Sequence, residues 1–221
     1  MKKSEKLDIV YEDKDIIVIN KPSGLLTIAT EKEKEKTLFH KVYMYIKKKN
    51  KNNKIFIVHR LDKDTSGLVL FAKNEKLKMQ LQKDWDNLVK ERNYVAVVHG
   101  KVIEERDEII SYLKETKTLL TYSTNNPHDG KKAITRYRTV LRNDNYSLLD
   151  ISLKTGRKNQ IRVHMNDIGY PIVGDRKYGK KDGFRRMYLH AYRLSLVLPN
   201  TNKLMAFEVD VPKQFIDLME K

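Results

Sequence analysis

Short apolar runs separated by polar turns dominate the first hundred residues. Ile16-Ile17-Val18-Ile19 follows the turn Glu12-Asp13-Lys14-Asp15 and reads as a buried strand, broken by Asn20-Lys21-Pro22-Ser23-Gly24. Residues 37–49 place Leu38, Val42 and Ile46 on one helical face. Ile55-Phe56-Ile57-Val58 and Leu68-Val69-Leu70-Phe71-Ala72 are apolar enough for core strands. Asn74 can cap a second helix with the stripe Leu77, Leu81, Trp85 and Leu88. Tyr94-Val95-Ala96-Val97-Val98 is the next expected strand, ended by His99-Gly100, while residues 101–133 read as polar and turn-rich. Thr135–Leu141 and Tyr146–Leu153 form an expected hairpin. A helical pattern at Ile161, Met165 and Ile168 stops at Gly169 and Pro171. Leu189–Leu194 leads into further strand, Phe207–Val211 reads as the last strand, and Pro212 opens a short helix. Strands and helices intermix without an internal repeat. The expected class is α+β, a single domain on a mostly antiparallel β-sheet flanked by helices.

Between the two apolar runs at 55–58 and 68–72 stands His59-Arg60-Leu61-Asp62-Lys63-Asp64-Thr65-Ser66-Gly67. A polar loop clamped by buried strands can hold reactive groups in place. On spacing alone, Asp62 and Asp64 could equally make a simple turn. Composition narrows the partner. The 221 residues carry 45 Lys and Arg against 29 Asp and Glu, a net charge of +16, and a polyanion is the natural counterpart of such an excess. Part of it is solvated connection, as in residues 47–54, whereas the charges of Glu31–Lys36 cancel. No long helix is basic on one face and apolar on the other, and no apolar run approaches the roughly 18 residues of a membrane span.

Absent cysteine excludes disulfides and thiolate metal sites, and suits a reducing cytoplasm. Six scattered histidines lack zinc-like spacing, so no metal is expected. The segment from Met1 to Lys6 lacks the apolar core of a signal peptide. Thr155-Gly156-Arg157-Lys158-Asn159-Gln160, a glycine and two cations before a helix, is a candidate phosphate site, with an ordinary cap as the alternative.

Taken together these blocks resemble the RluA-type pseudouridine synthases. The resemblance is carried by Tyr11-Glu12-Asp13 through Asn20-Lys21-Pro22-Ser23-Gly24, HRLDKDTSGLVLFAK at 59–73, and Tyr94 to Gly100. It continues through TGRKNQIRVH at 155–164, Gly169-Tyr170-Pro171-Ile172 with Gly174-Asp175, and Leu189-His190-Ala191. It implies a pseudouridine synthase-like catalytic domain over residues 1–221, with no separate N-terminal RNA-binding domain. It further implies an isomerase that converts uridine to pseudouridine in structured ribosomal or transfer RNA, without a cofactor, membrane or obligate protein partner.

By that resemblance Asp62 is the catalytic carboxylate, acting on the anomeric carbon or the uracil ring as a nucleophile, or as a base on the sugar. A carboxylate kept ionised in a pocket needs a cation against desolvation. Arg162 is the matched candidate, since a guanidinium grips a carboxylate with two hydrogen bonds. Tyr94 would stack on the target base, and Ile161 and Leu189 would wall the uracil pocket. Arg60 would help fill the space of a base flipped from its stack. Lys21, Arg157 and Lys158 are expected RNA backbone contacts, and His59 and His164 structural hydrogen-bonding residues. One departure stands out: the family usually has Thr-His before Gln-Ile-Arg, where this chain has Lys158-Asn159. Two rivals are a non-catalytic RNA-binding factor on the same fold and a metal-dependent nuclease, which would want more clustered carboxylates than Asp62 and Asp64.

Overall fold

A computed structural model describes residues 6–220. The expected lack of an apolar leader falls mostly on Met1–Glu5, outside the described residues. The chain divides into two compact units: residues 1–90 with 193–209, and residues 91–192 with 210–221.

In the first unit β1 (Ile9–Glu12) pairs antiparallel with β2 (Ile16–Lys21). β2 pairs with β4 (Ser66–Ala72), which also takes the short β3 (Phe56–Ile57). Both β2 and β4 are buried nearly throughout, which explains why their sequences are apolar runs rather than alternations. α1 (Leu38–Lys49) buries Leu38, Val42 and Ile46, and Thr37 caps it by accepting from the His40 amide. Asn74 caps α2 (Glu75–Lys83), accepting from the Leu77 amide at 2.8 Å. The expected single helix is broken at Asp84, and Trp85–Leu88 forms a separate turn, α3. Leu77 and Leu81 are buried with Ile16, Val18, Leu68 and Leu70, whereas Trp85 and Leu88 pack only partly against that core.

The second unit is built on β5 (Val89–His99), β6 (Arg106–Glu115), β7 (Thr121–Thr124), β8 (Lys131–Arg142) and β9 (Tyr146–Leu153). Their order is β5-β9-β8-β6-β7, with every pairing antiparallel. The β8–β9 hairpin is where the sequence places it. The reading of 101–133 as turns is corrected, because β6, β7 and the start of β8 lie there. α4 (Gln160–Asp167) packs Ile161 and Met165 against Ala96, Val98, Leu149 and Ile151. β10 (Leu189–Leu198) belongs to the second unit up to Tyr192 and to the first from Arg193. It pairs with β11 (Lys203–Glu208), so the last strand starts and ends earlier than expected. Pro212 precedes α5 (Lys213–Met219), which buries Phe215, Leu218 and Met219. No helix among the described residues is long and apolar enough to cross a membrane. The class is α+β on a mostly antiparallel sheet, as expected.

Candidate active site

In the first unit, the polar loop before β4 is fastened by the segment that follows β2. The Thr27 hydroxyl donates to the Leu61 carbonyl at 2.7 Å and accepts from the Leu61 amide at 3.3 Å. The Lys63 carbonyl accepts from Lys21 Nζ at 2.9 Å and from the Gly24 amide at 3.0 Å. Ser23 Oγ donates to the Asp64 carbonyl at 2.6 Å. Gly24 supplies this approach from a φ of 84°, a left-handed conformation that glycine adopts without strain. The backbone on both sides of Asp62 is therefore tied to a second segment. Asp62 is half-buried and Arg60 exposed.

This arrangement overturns the reading of Lys21 as an RNA contact. Lys21 is completely buried, and its ammonium also donates to the carbonyls of Pro22 and Leu25, at 3.0 and 2.8 Å. A buried cation must be solvated by something, and here backbone oxygens replace water. His59 is structural, as expected: its Nε2 accepts from the Leu70 amide at 3.0 Å and its ring leans on Trp85.

In the second unit Tyr94 on β5, Ile161 on α4 and Leu189 on β10 share one apolar cluster. Ile161 and Leu189 are buried, while Tyr94 is partly so. Arg162 is also buried, and its guanidinium is gripped by a carboxylate that the sequence reading gave no role. Nε donates to Asp175 Oδ2 and Nη2 to Asp175 Oδ1, both at 2.7 Å. Burial alone would raise the Asp175 pKa, but the Arg162 hydrogen bonds and charge, aided by the Tyr178 and Lys177 amides, bring it below the usual carboxylate range. Such a forked pair fixes orientation as much as charge.

Asn159, at the family's departure, completes the clamp. It stands in the left-handed region at φ 56°, which asparagine tolerates better than branched residues. Its Oδ1 accepts from Arg162 Nη1 at 2.9 Å, while its Nδ2 donates to Tyr178 Oη at 3.1 Å. The Tyr178 ring lies 4.9 Å from the guanidinium carbon. Gln160 holds the helix start: Oε1 accepts from the Thr155 hydroxyl and the Arg157 amide, and Nε2 donates to Ile134 O and Thr135 Oγ1. The candidate phosphate site there is partly closed, since the Arg157 amide is taken by Gln160 and the Gln160 amide by Arg157 O. Arg157 Nε donates to Lys132 O at 3.0 Å, and Lys158 pairs with Glu115. His164 is buried between Ser111 Oγ and Thr135 Oγ1, at 2.9 and 2.8 Å, consistent with a structural role.

Asp175 was visible only as part of a Gly-Asp block, and Thr27 not at all. A lone threonine after a turn carries no signal until its partner strand is known.

Comparison with known proteins agrees with the motifs. The family model described as RNA pseudouridylate synthase matches residues 15–167. An uncharacterised RNA pseudouridine synthase of Bacillus subtilis is 36% identical over 97% of this chain and 72% of its own length. The ribosomal large subunit pseudouridine synthase D of Borreliella burgdorferi is 36% identical over 94% of this chain and 66% of its own. The tRNA pseudouridine synthase C of Haemophilus ducreyi is 34% identical, covering 89% and 87%. In fold, the chain resembles human RNA pseudouridylate synthase domain containing 4, with a TM-score of 0.77 at 21% identity over 94% of this chain and 90% of that one. The chain belongs to the RNA pseudouridylate synthase family, in its RluA-type branch, and is an isomerase of that kind.

Proposed function

We propose that this enzyme isomerises a specific uridine in structured ribosomal or transfer RNA, with Asp62 as its catalytic carboxylate acting on a flipped-out base. The observation that carries this reading is the fastening of the Asp62 loop. Carbonyls at Leu61, Lys63 and Asp64 are all bound by residues 21–27, an investment in backbone position that a simple turn would not need. Preorganisation of this kind is what a group attacking a sugar or a pyrimidine requires.

In this reading Arg162 supplies the opposing positive charge, its planar fork aimed by Asp175 and Asn159. Tyr94 stacks on the uracil, with Ile161 and Leu189 as apolar walls, and Arg60 takes up space left in the RNA stack. Isomerisation breaks the bond from sugar to ring nitrogen, turns the uracil and rejoins it through carbon, with no net oxidation. The two named relatives that act on ribosomal and on transfer RNA support both as substrate classes.

Purified protein, without added metal, should form pseudouridine in RNA of its host. Asp62→Ala should lower the rate by on the order of 10³-fold or more while RNA binding persists. Equal product from the variant would remove Asp62 from the mechanism. Mapping pseudouridine in host RNA with and without the gene would identify the target.

A further inference from the structure

Residues 176–186, between α4 and β10, hold the cations Arg176, Lys177, Lys180, Lys181, Arg185 and Arg186 against one carboxylate, Asp182. Elsewhere in the same unit exposed cations are neutralised across strands: Arg136 by Glu108, Arg138 by Asp150, Lys114 by Asp129 and Lys158 by Glu115. Among the described residues, Arg176, Lys177, Lys180, Lys181 and Arg185 have no carboxylate partner, and Arg176, Lys180, Lys181 and Arg185 are exposed.

The chain beneath these charges is fastened rather than loose. Asp175 Oδ1 accepts from the Lys177 and Tyr178 amides at 2.9 and 3.1 Å. Tyr178 Oη accepts from the Thr121 amide at 2.9 Å. Asp182 is turned inward: Oδ2 accepts from the Gly174 amide at 2.7 Å and meets His99 Nε2 at 2.8 Å, and Oδ1 accepts from the Phe184 amide at 3.1 Å. Phe184 packs edge-on against Tyr146 and Tyr188. An ordinary solvated charge run needs none of these ties. Here the one acid is consumed by the frame and the bases are left facing water. Their mutual repulsion is relieved only by a polyanion. With Phe184 packed inward, the loop offers no apolar anchor, so it suits a phosphate chain in water better than a lipid surface.

We propose that residues 176–186 are a docking surface for the phosphodiester backbone of the substrate RNA. This rests on the enzyme acting on RNA and is independent of which carboxylate performs the chemistry. Phosphate contacts of this sort set affinity and register rather than sequence choice.

The test is the full chain carrying Lys180→Glu, Lys181→Glu and Arg185→Glu, none of which touches Asp175, Asp182 or Tyr178. A charge-matched control carries Lys48→Glu, Lys51→Glu and Lys54→Glu, exposed positions of the first unit. Binding to bulk transfer RNA and to deproteinised ribosomal RNA is measured against salt, with thermal melts to check folding. The loop variant should bind about tenfold more weakly near 0.15 M salt, and its slope of log affinity against log salt should fall by about 2, since each lost contact removes roughly 0.7. The control should keep both. Pseudouridine formation at saturating RNA should stay within twofold while KM rises, whereas Asp62→Ala should lose product without losing affinity. Unchanged affinity and slope in the loop variant, or equal losses in the control, would overturn the proposal.

Discussion

The Thr27 hydroxyl serves both backbone groups of Leu61, the residue before the proposed catalytic carboxylate, and it is itself 2% exposed. Replacing it by valine keeps the shape but leaves a buried amide and carbonyl unpaired, at a cost of about 1–3 kcal/mol each. Because small displacements of a reacting group cost rate steeply, Thr27→Val should slow single turnover at saturating RNA by about 10- to 100-fold, with Thr27→Ser within twofold of the parent. A valine variant as fast as the parent would show that the latch does not position Asp62. At this scale the sequence displayed residue types but not their directions. Lys21 looked like a surface cation because nothing in Lys-Pro-Ser-Gly announces three inward carbonyls. Asn159 could be read as a hydrogen-bonding substitute, yet its partners, Arg162 and Tyr178, lie on a helix and a loop whose approach only folding reveals.

Elements were legible wherever burial is two-sided or a cap is present. β2 and β4 are continuous apolar runs, and α1 and α2 begin at Thr37 and Asn74, each with its hydroxyl or amide oxygen on the backbone. Asn74→Ala should lower stability by about 1 kcal/mol in denaturant unfolding, leaving the rate at saturating RNA unchanged. No loss would mean that the cap is replaced by solvent. β6 was illegible for a physical reason. Of its ten residues only Ser111 and Leu113 are buried, and charged side chains fill much of the rest, so no alternation marks it as a strand. Its identity comes from pairing with β8, far along the chain. The break at Asp84 was equally hidden, since Trp85 and Leu88 keep the helical spacing that the backbone abandons.

For the whole molecule, pH dependence follows from two buried histidines. Burial pushes the pKa of His164 down to about 4, and burial together with the Arg186 charge does the same for His190. In the unfolded chain both return to roughly 6.5. Above that pH neither state binds the proton. Between pH 6.5 and 4 the unfolded chain takes up protons that the fold refuses, so stability falls by up to about 3 kcal/mol for each histidine. Denaturation midpoints at pH 7.5 and 5.0 should show this loss, and His164→Gln, which can keep a bond to Ser111 or Thr135, should roughly halve it. A flat profile would contradict burial of the two rings.

The interleaving of the units has a consequence for synthesis. Residues 193–209 return to the unit begun by residues 1–90, and Leu194, Leu196, Leu198 and Phe207 sit in its core beside Ile16 and Leu70. The part of the protein translated first is therefore finished almost last. A nascent chain must hold Ile16–Ile19 unsatisfied until the ribosome has delivered nearly the entire message, and a late stop codon would wreck the amino-terminal half rather than trim the carboxyl end.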